Sequence, residues 1–153
     1  SKAYAMTGWR IGYALGSKEI IAQINKLQTH LTSNATSIAQ WAAVGALKDG
    51  DAAVEEMRKA FEERRKVILG LIRDMPYVKV REPEGAFYVF IDIRECPLAD
   101  DLEFCERLLE EKLVAAVPGA AFFAPGFVRF SYACSMENIK EGMGRLKEFL
   151  SGL

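Results

Sequence analysis

Lys2, Arg10 and Arg129 stand out because their types and settings suit defined chemistry. Lysine supplies the side-chain primary amine that a Schiff base with a carbonyl compound requires. The amine must be unprotonated, which a desolvated site beside other positive charge favours. Arginine presents a rigid fork of N–H donors that matches the oxygens of a phosphate or a carboxylate. Gly8 and Gly12 flank Arg10 and allow the backbone to come close to whatever it holds. Taken singly, Lys2 could be a frayed terminal lysine and Arg10 a surface arginine. Arg129 could pair with an acid on a neighbouring strand.

Other residues offer less. His30 is the only histidine and stands alone on a helical pattern. Cys96, Cys105 and Cys134 form no C-x-x-C pair and have no paired base in the sequence, so neither a disulfide framework nor a zinc site is expected. Asp100-Asp101 reads as a helix start and not as a metal site. No metal ligands are proposed.

The elements that position these residues follow from periodicity. Ile11 to Leu15 is a short apolar run that predicts one buried strand. Ser17 is placed to cap a helix with Ile20, Ile21, Ile24, Leu27 and Leu31 at helical spacing, and an alanine-rich helix follows from Ser37 to a stop at Asp49-Gly50. A long amphipathic helix comes next. Its expected apolar stripe is Val54, Met57, Phe61, Ile68, Leu71 and Met75, its outer face carries Glu55–Lys59 and Glu62–Lys66 pairs, and Pro76 ends it. Strands are expected near Val78 to Arg81, Ala86 to Asp92, Val114 to Val117 and Val128 to Ala133. A helix is marked by Leu102, Cys105, Leu108 and Leu109, and a last one, capped by Ser135, by Ile139, Met143, Leu146 and Leu150. Strands clustered between helices make this an α+β (mixed αβ) chain, a small sheet with helices packed on one side. The Ile11 strand fits that sheet poorly and is expected to belong to another.

Composition sets the outer limits. The chain of 153 residues can bury a proper core, half of it is apolar and its formal net charge is −1. That balance gives no reason to expect nucleic acid or an anionic membrane as partner. The longest uncharged stretch, Leu113 to Val128, is interrupted by Pro118, Gly119, Pro125 and Gly126, so no membrane span is expected. Free cysteines suit a reducing cytosol, which makes the expected location cytoplasmic. The sequence opens on Ser1 and runs directly into a densely specified segment, so the start is expected to lie inside a longer protein, made by engineering or by proteolysis.

That opening segment, Ser1-Lys2-Ala3-Tyr4-Ala5-Met6-Thr7-Gly8-Trp9-Arg10-Ile11-Gly12-Tyr13, closely resembles the lysine segment of the fold-type-I pyridoxal-phosphate (PLP) aminotransferases, the aspartate aminotransferase group in particular. Phe127-Val128-Arg129-Phe130-Ser131-Tyr132-Ala133 is similar to the family's strand bearing the arginine that grips the substrate α-carboxylate. Pro83-Glu84-Gly85-Ala86-Phe87-Tyr88 resembles the turn and strand that face substrate, and Val117-Pro118-Gly119 with Phe122 resembles a loop closing that side. These matches are colinear over nearly the whole chain.

The resemblance implies roles. Lys2 would be the lysine joined to PLP as a Schiff base and would also shuttle the proton at the substrate α-carbon. Arg10 would bind the cofactor phosphate, and Arg129 the substrate carboxylate. Phe87 would touch substrate, or simply be core. Residues 1–16 would be a strip of the large PLP-binding domain, carrying the lysine segment and one strand, and residues 17–153 the C-terminal small domain. The implied reaction moves an amino group between an amino acid, aspartate as first choice, and a 2-oxo acid, in a homodimeric parent.

In the family, the aspartate facing the pyridine nitrogen, the groups contacting the ring oxygen, the aromatic stacked on the ring and most of the phosphate cup precede this lysine. The 153-residue chain alone is therefore expected neither to bind PLP usefully nor to transaminate. An unpaired strand edge would also let it self-associate through residues 1–16. A PLP lyase or synthase of the same fold is an alternative. So is the aminotransferase-like effector domain of a transcription regulator.

Overall fold

The computed structural model describes residues 1–153, which form two compact units, Ser1–Lys59 and Ala60–Leu153. The first unit opens with a tight turn in which Met6 N–H donates to the Ser1 carbonyl at 2.9 Å, followed by a 3-10 turn at Thr7–Trp9. Helix α1 (Lys18–Leu31) starts where expected: the Ser17 side chain accepts from Ile20 N–H at 3.5 Å. Helix α2 (Ser37–Asp49) ends at Gly50, where a Cβ would stand 2.3 Å from the Ala46 carbonyl oxygen and 3.0 Å from the Tyr4 ring. Only Met6 and Ala39 are buried apolar residues in this unit. The predicted stripe of α1 is helical but uncovered: Ile20, Ile24, Leu27 and Leu31 are all exposed.

The predicted strand at Ile11–Leu15 is not formed. These residues are irregular, with Tyr13 and Leu15 exposed. An extended segment becomes a strand by exchanging hydrogen bonds with a neighbour, and no segment of this chain pairs with it. Residues 1–16 therefore contain the lysine segment without the one strand expected beside it.

Helix α3 (Asp51–Ile72) runs through the boundary between the units. Its outer face carries Lys59–Glu55 and Lys66–Glu62 ion pairs at 3.9 and 3.0 Å, and Glu55 also binds Arg58. The buried stripe differs from the expected one at its end: Ile68, Leu69 and Ile72 point into the core, and Leu71 is 38% exposed. Steps of 100° place Leu71 on the flank of the face that those three share, roughly 100° from its centre. The helix also stops before Pro76. Proline has no N–H to offer the Ile72 carbonyl, and the chain tightens so that Met75 N–H donates to it instead, at 3.0 Å.

The second unit holds a four-stranded antiparallel sheet in the order β1 (Lys79–Val80), β2 (Tyr88–Asp92), β4 (Phe127–Ser131), β3 (Val117–Pro118). Alternation divides it cleanly. Val89 and Ile91 of β2 and Val128 and Phe130 of β4 are buried with Ile68 and Ile72 of α3, Phe104, Cys105 and Leu108 of α4 (Asp101–Lys112), and Ile139, Met143, Leu146 and Leu150 of α5 (Met136–Ser151). The other face carries Tyr88, Phe90 and Asp92 from β2 and Phe127, Arg129 and Ser131 from β4. Ser135 caps α5 by accepting from Asn138 N–H at 3.2 Å.

Candidate active-site residues

The lysine segment is shaped by its own turns. Ala5 and Arg10 both sit at φ +52°, in the left-handed region that residues with a Cβ seldom occupy. This conformation ends the 3-10 turn at Arg10 and brings the guanidinium back along it, so that Nη1 donates to the Thr7 carbonyl at 3.1 Å. Arg10 borders an open hollow of about 590 Å³ lined by Ala5, Gly8, Trp9, Thr36, Ile38 and Ala39. Lys2 is exposed and does not line that hollow. The segment thus supplies an amine and a guanidinium, the donor set suited to the carbonyl and phosphate ends of PLP. An amine is desolvated only by burial, however, and this chain leaves Lys2 in water.

Arg129 stands in the middle of β4, directly across from Phe90 of β2 and beside Val117 of β3. Its guanidinium carbon lies 4.3 Å from the ring centre of Tyr88 and 4.4 Å from that of Phe122. A cation resting on aromatic faces is attracted without its N–H donors being consumed. Arg129 has no ion pair. The acid nearest in the strand pattern, Asp92, is already taken by Arg94, whose Nη2 is 2.6 Å from Asp92 Oδ2. That contact, with burial working against it, holds the Asp92 carboxyl down at about 2. The alternative arrangement, an arginine paired to an acid on a neighbouring strand, is therefore absent.

Around Arg129 the open face is aromatic. Phe90 stacks on Phe127 at 5.2 Å and meets the edge of Phe122 at 6.3 Å. Phe87 lies beside Tyr88, with ring centres 4.4 Å apart, but it also packs against Phe61 and the core. Its carbonyl accepts Tyr132 N–H at 2.9 Å, and the buried Tyr132 hydroxyl donates to the Ala86 carbonyl at 3.1 Å. The first and second units each hold part of the predicted set: Lys2 and Arg10 in one, Phe87 and Arg129 in the other.

Two contributors were not legible as such. Tyr88 reaches Arg129 only because the β2–β4 register puts both on one face, a signal available from alternation once the pairing is known. Asp101, read in the sequence as part of a helix start, is 2% exposed and accepts the N–H groups of Ala120 at 2.7 Å and Gly126 at 3.2 Å. Burial pushes its carboxyl up, but those backbone donors outweigh burial and hold it below the usual value.

Solved structures of fold-type-I aminotransferases contain a region that matches this chain, the two-layer unit with its arginine on the open, aromatic sheet face included. The chain belongs to the class I and II aminotransferases, whose family model matches residues 1–146. An aspartate aminotransferase of Thermotoga maritima is 45% identical over 99% of this chain and 38% of its own length. A (5-formylfuran-3-yl)methyl phosphate transaminase of Methanocaldococcus jannaschii is 47% identical over 99% of this chain and 40% of its own. The crystal structure of an aromatic aminotransferase from Pyrococcus horikoshii superposes with a TM-score of 0.94 at 40% identity, covering 99% of this chain and 41% of that one. The chain thus spans about two fifths of the length of the relatives it matches.

Proposed function

We propose that this chain is the small-domain part, with the lysine segment attached, of a PLP-dependent aminotransferase that moves an amino group between an amino acid and a 2-oxo acid. The cofactor, when bound, supplies the electron sink for the bond broken at the substrate α-carbon. Lys2 holds the cofactor by its amine and takes and returns the proton at that carbon. Arg10 holds the phosphate. Arg129 fixes the position and plane of the substrate carboxylate, and Phe87 lines the approach to it. Residues 1–16 belong to the large domain and 17–153 to the small one. The observation that carries this reading is the Arg129 guanidinium, resting on Tyr88 and Phe122 with no acid of its own chain to neutralise it.

Aspartate is the first substrate to test, because of the Thermotoga relative's activity. The Methanocaldococcus and Pyrococcus relatives match the same region and bear other substrate names, so side-chain selectivity is assigned to residues outside this chain. The parent is proposed to be a cytoplasmic homodimer. No helix here is long and apolar enough to cross a membrane.

The decisive experiment is borohydride reduction of the intact parent with PLP, followed by mass spectrometry. Label on Lys2 is expected, and label elsewhere or nowhere would overturn the assignment. The 153-residue chain alone is expected to show no aldehyde-amine absorbance band on PLP titration; a band abolished by Lys2→Ala would refute that. Residues 1–16, unpaired and exposed over 12–16, are further proposed to let the isolated chain self-associate. Leu15→Lys should then shift size-exclusion elution toward the monomer, and an unchanged profile would remove the idea.

A further inference from the structure

Asp101 is the one buried charged side chain in the molecule, and the proposed reaction gives it no part. It stands in the first turn of α4, where its neighbour already does the capping: the Asp100 carboxylate accepts the N–H groups of Leu102 and Glu103 at 2.9 and 2.8 Å. The Asp101 carboxylate reaches instead to the connection between β3 and β4. Its Oδ2 accepts Ala120 N–H at 2.7 Å and its Oδ1 accepts Gly126 N–H at 3.2 Å. One carboxylate thereby grips both ends of the 120–126 loop, with charge-assisted bonds that are stronger than neutral ones.

The loop has little freedom of its own. Phe123 N–H donates to the Ala120 carbonyl and Ala124 N–H to the Gly119 carbonyl, at 3.1 and 3.0 Å. A Cβ on Gly119 would stand 2.2 Å from the Ala124 carbonyl oxygen, so the turn closes only on glycine. Between the two gripped ends stands Phe122, whose ring meets the Arg129 guanidinium. An arginine without an acid partner keeps its rotamer freedom unless something else removes it. Here the rings of Tyr88 and Phe122 do so. Tyr88 is fixed by its strand, whereas Phe122, whose ring also meets the edge of Phe90, is carried into place by the loop.

We propose that Asp101 is a positioning residue: by clamping the 120–126 loop it holds Phe122 against Arg129 and so sets the direction in which the guanidinium presents its donors. The proposal rests on the reading of Arg129 as the carboxylate-binding residue, and the two are tested by different signals.

The clamp is read without any ligand, from the Nε–H NMR resonance of Arg129 in the 153-residue chain, a proton close to two aromatic rings and shifted by their ring currents. Phe122→Leu should move that resonance toward its ordinary position. Asp101→Asn, which keeps the size but turns one acceptor into a donor facing N–H groups, should move it the same way. The amides of Val89 and Leu146 in the core should stay where they are. A folded Asp101→Asn chain with the Arg129 resonance unmoved overturns the clamp. Should that variant not fold, Phe122→Leu decides: the position is 42% exposed, and an unmoved resonance there also overturns the proposal. Titration with succinate tests the carboxylate reading separately, with Arg129→Lys as control. No response to succinate beside clear ring-current changes in both variants would sink that reading and leave the clamp supported.

Discussion

The two units differ in how far the same kind of sequence signal is satisfied. In residues 60–153 most predicted apolar positions find cover, Leu71 of α3 and Leu102 and Leu109 of α4 excepted: α4 and α5 lay Phe104, Leu108, Leu146 and Leu150 on the inner sheet face, each at or below 2% exposure. In residues 1–59 both helices form, α1 with an equally clear serine cap, yet Ile20, Leu27 and Leu31 of α1 and Ile38, Trp41 and Leu47 of α2 remain in contact with solvent. The lesson is that helical periodicity specifies a face and its direction, whereas burial needs a second surface of matching shape. Apolar surface contributes to stability in proportion to the area removed from water, so the two units should respond very differently to the same type of substitution.

The sharpest way to break this comparison is a matched pair of truncations. Phe104→Ala should cost about 3–5 kcal/mol, the cost of emptying a filled core site. Leu27→Ala, on the uncovered face of α1, should change stability by less than about 0.5 kcal/mol. Urea denaturation of the isolated chain measures both, and similar losses would mean that α1 is covered in solution.

Next in size is Asp101→Asn, expected to cost about 1–3 kcal/mol because buried N–H groups lose a charged acceptor. The sign of its pH dependence follows from the native carboxyl lying below its ordinary value. The stabilisation is complete above the unfolded value near 4 and fades as pH falls through the lower native one. The gap between wild type and Asp101→Asn should therefore be full at neutral pH and close in acid. A gap independent of pH would show that packing, not the charge, makes the contact.

The smallest effect belongs to the outer face of the second unit. Glu141→Gln removes an ion pair to Arg145, in which both partners are well exposed, and should cost less than about 0.5 kcal/mol. A larger loss would show that this outer face adds more to the closed unit than burial alone.

Much of this was legible along the chain, because it depends on neighbours three or four residues away. Ser17 and Ser135 each accept an N–H three residues on, as an N-cap must, and α5 buries the residues that its spacing selects. The lysine segment and the Arg129 strand could be singled out because residue type limits chemistry: few side chains can form a Schiff base or grip a carboxylate on both oxygens. The exceptions also have local causes. Ile11–Leu15 has strand composition, but a strand exists only with a partner, and Leu71 lost its place in the stripe because α3 turned its 68, 69 and 72 positions inward.

The sequence by itself determined the helices, their caps, the alternation of the sheet and the identity of the amine and guanidinium groups, since each rests on local geometry or on chemical type. Only the tertiary structure decided that Arg129 would meet Tyr88 and Phe122 in place of an acid, and that Asp101 would reach across 19 and 25 residues to hold the loop. Those contacts join positions distant in the chain. Their partners are chosen by strand register and loop closure, which no single segment encodes.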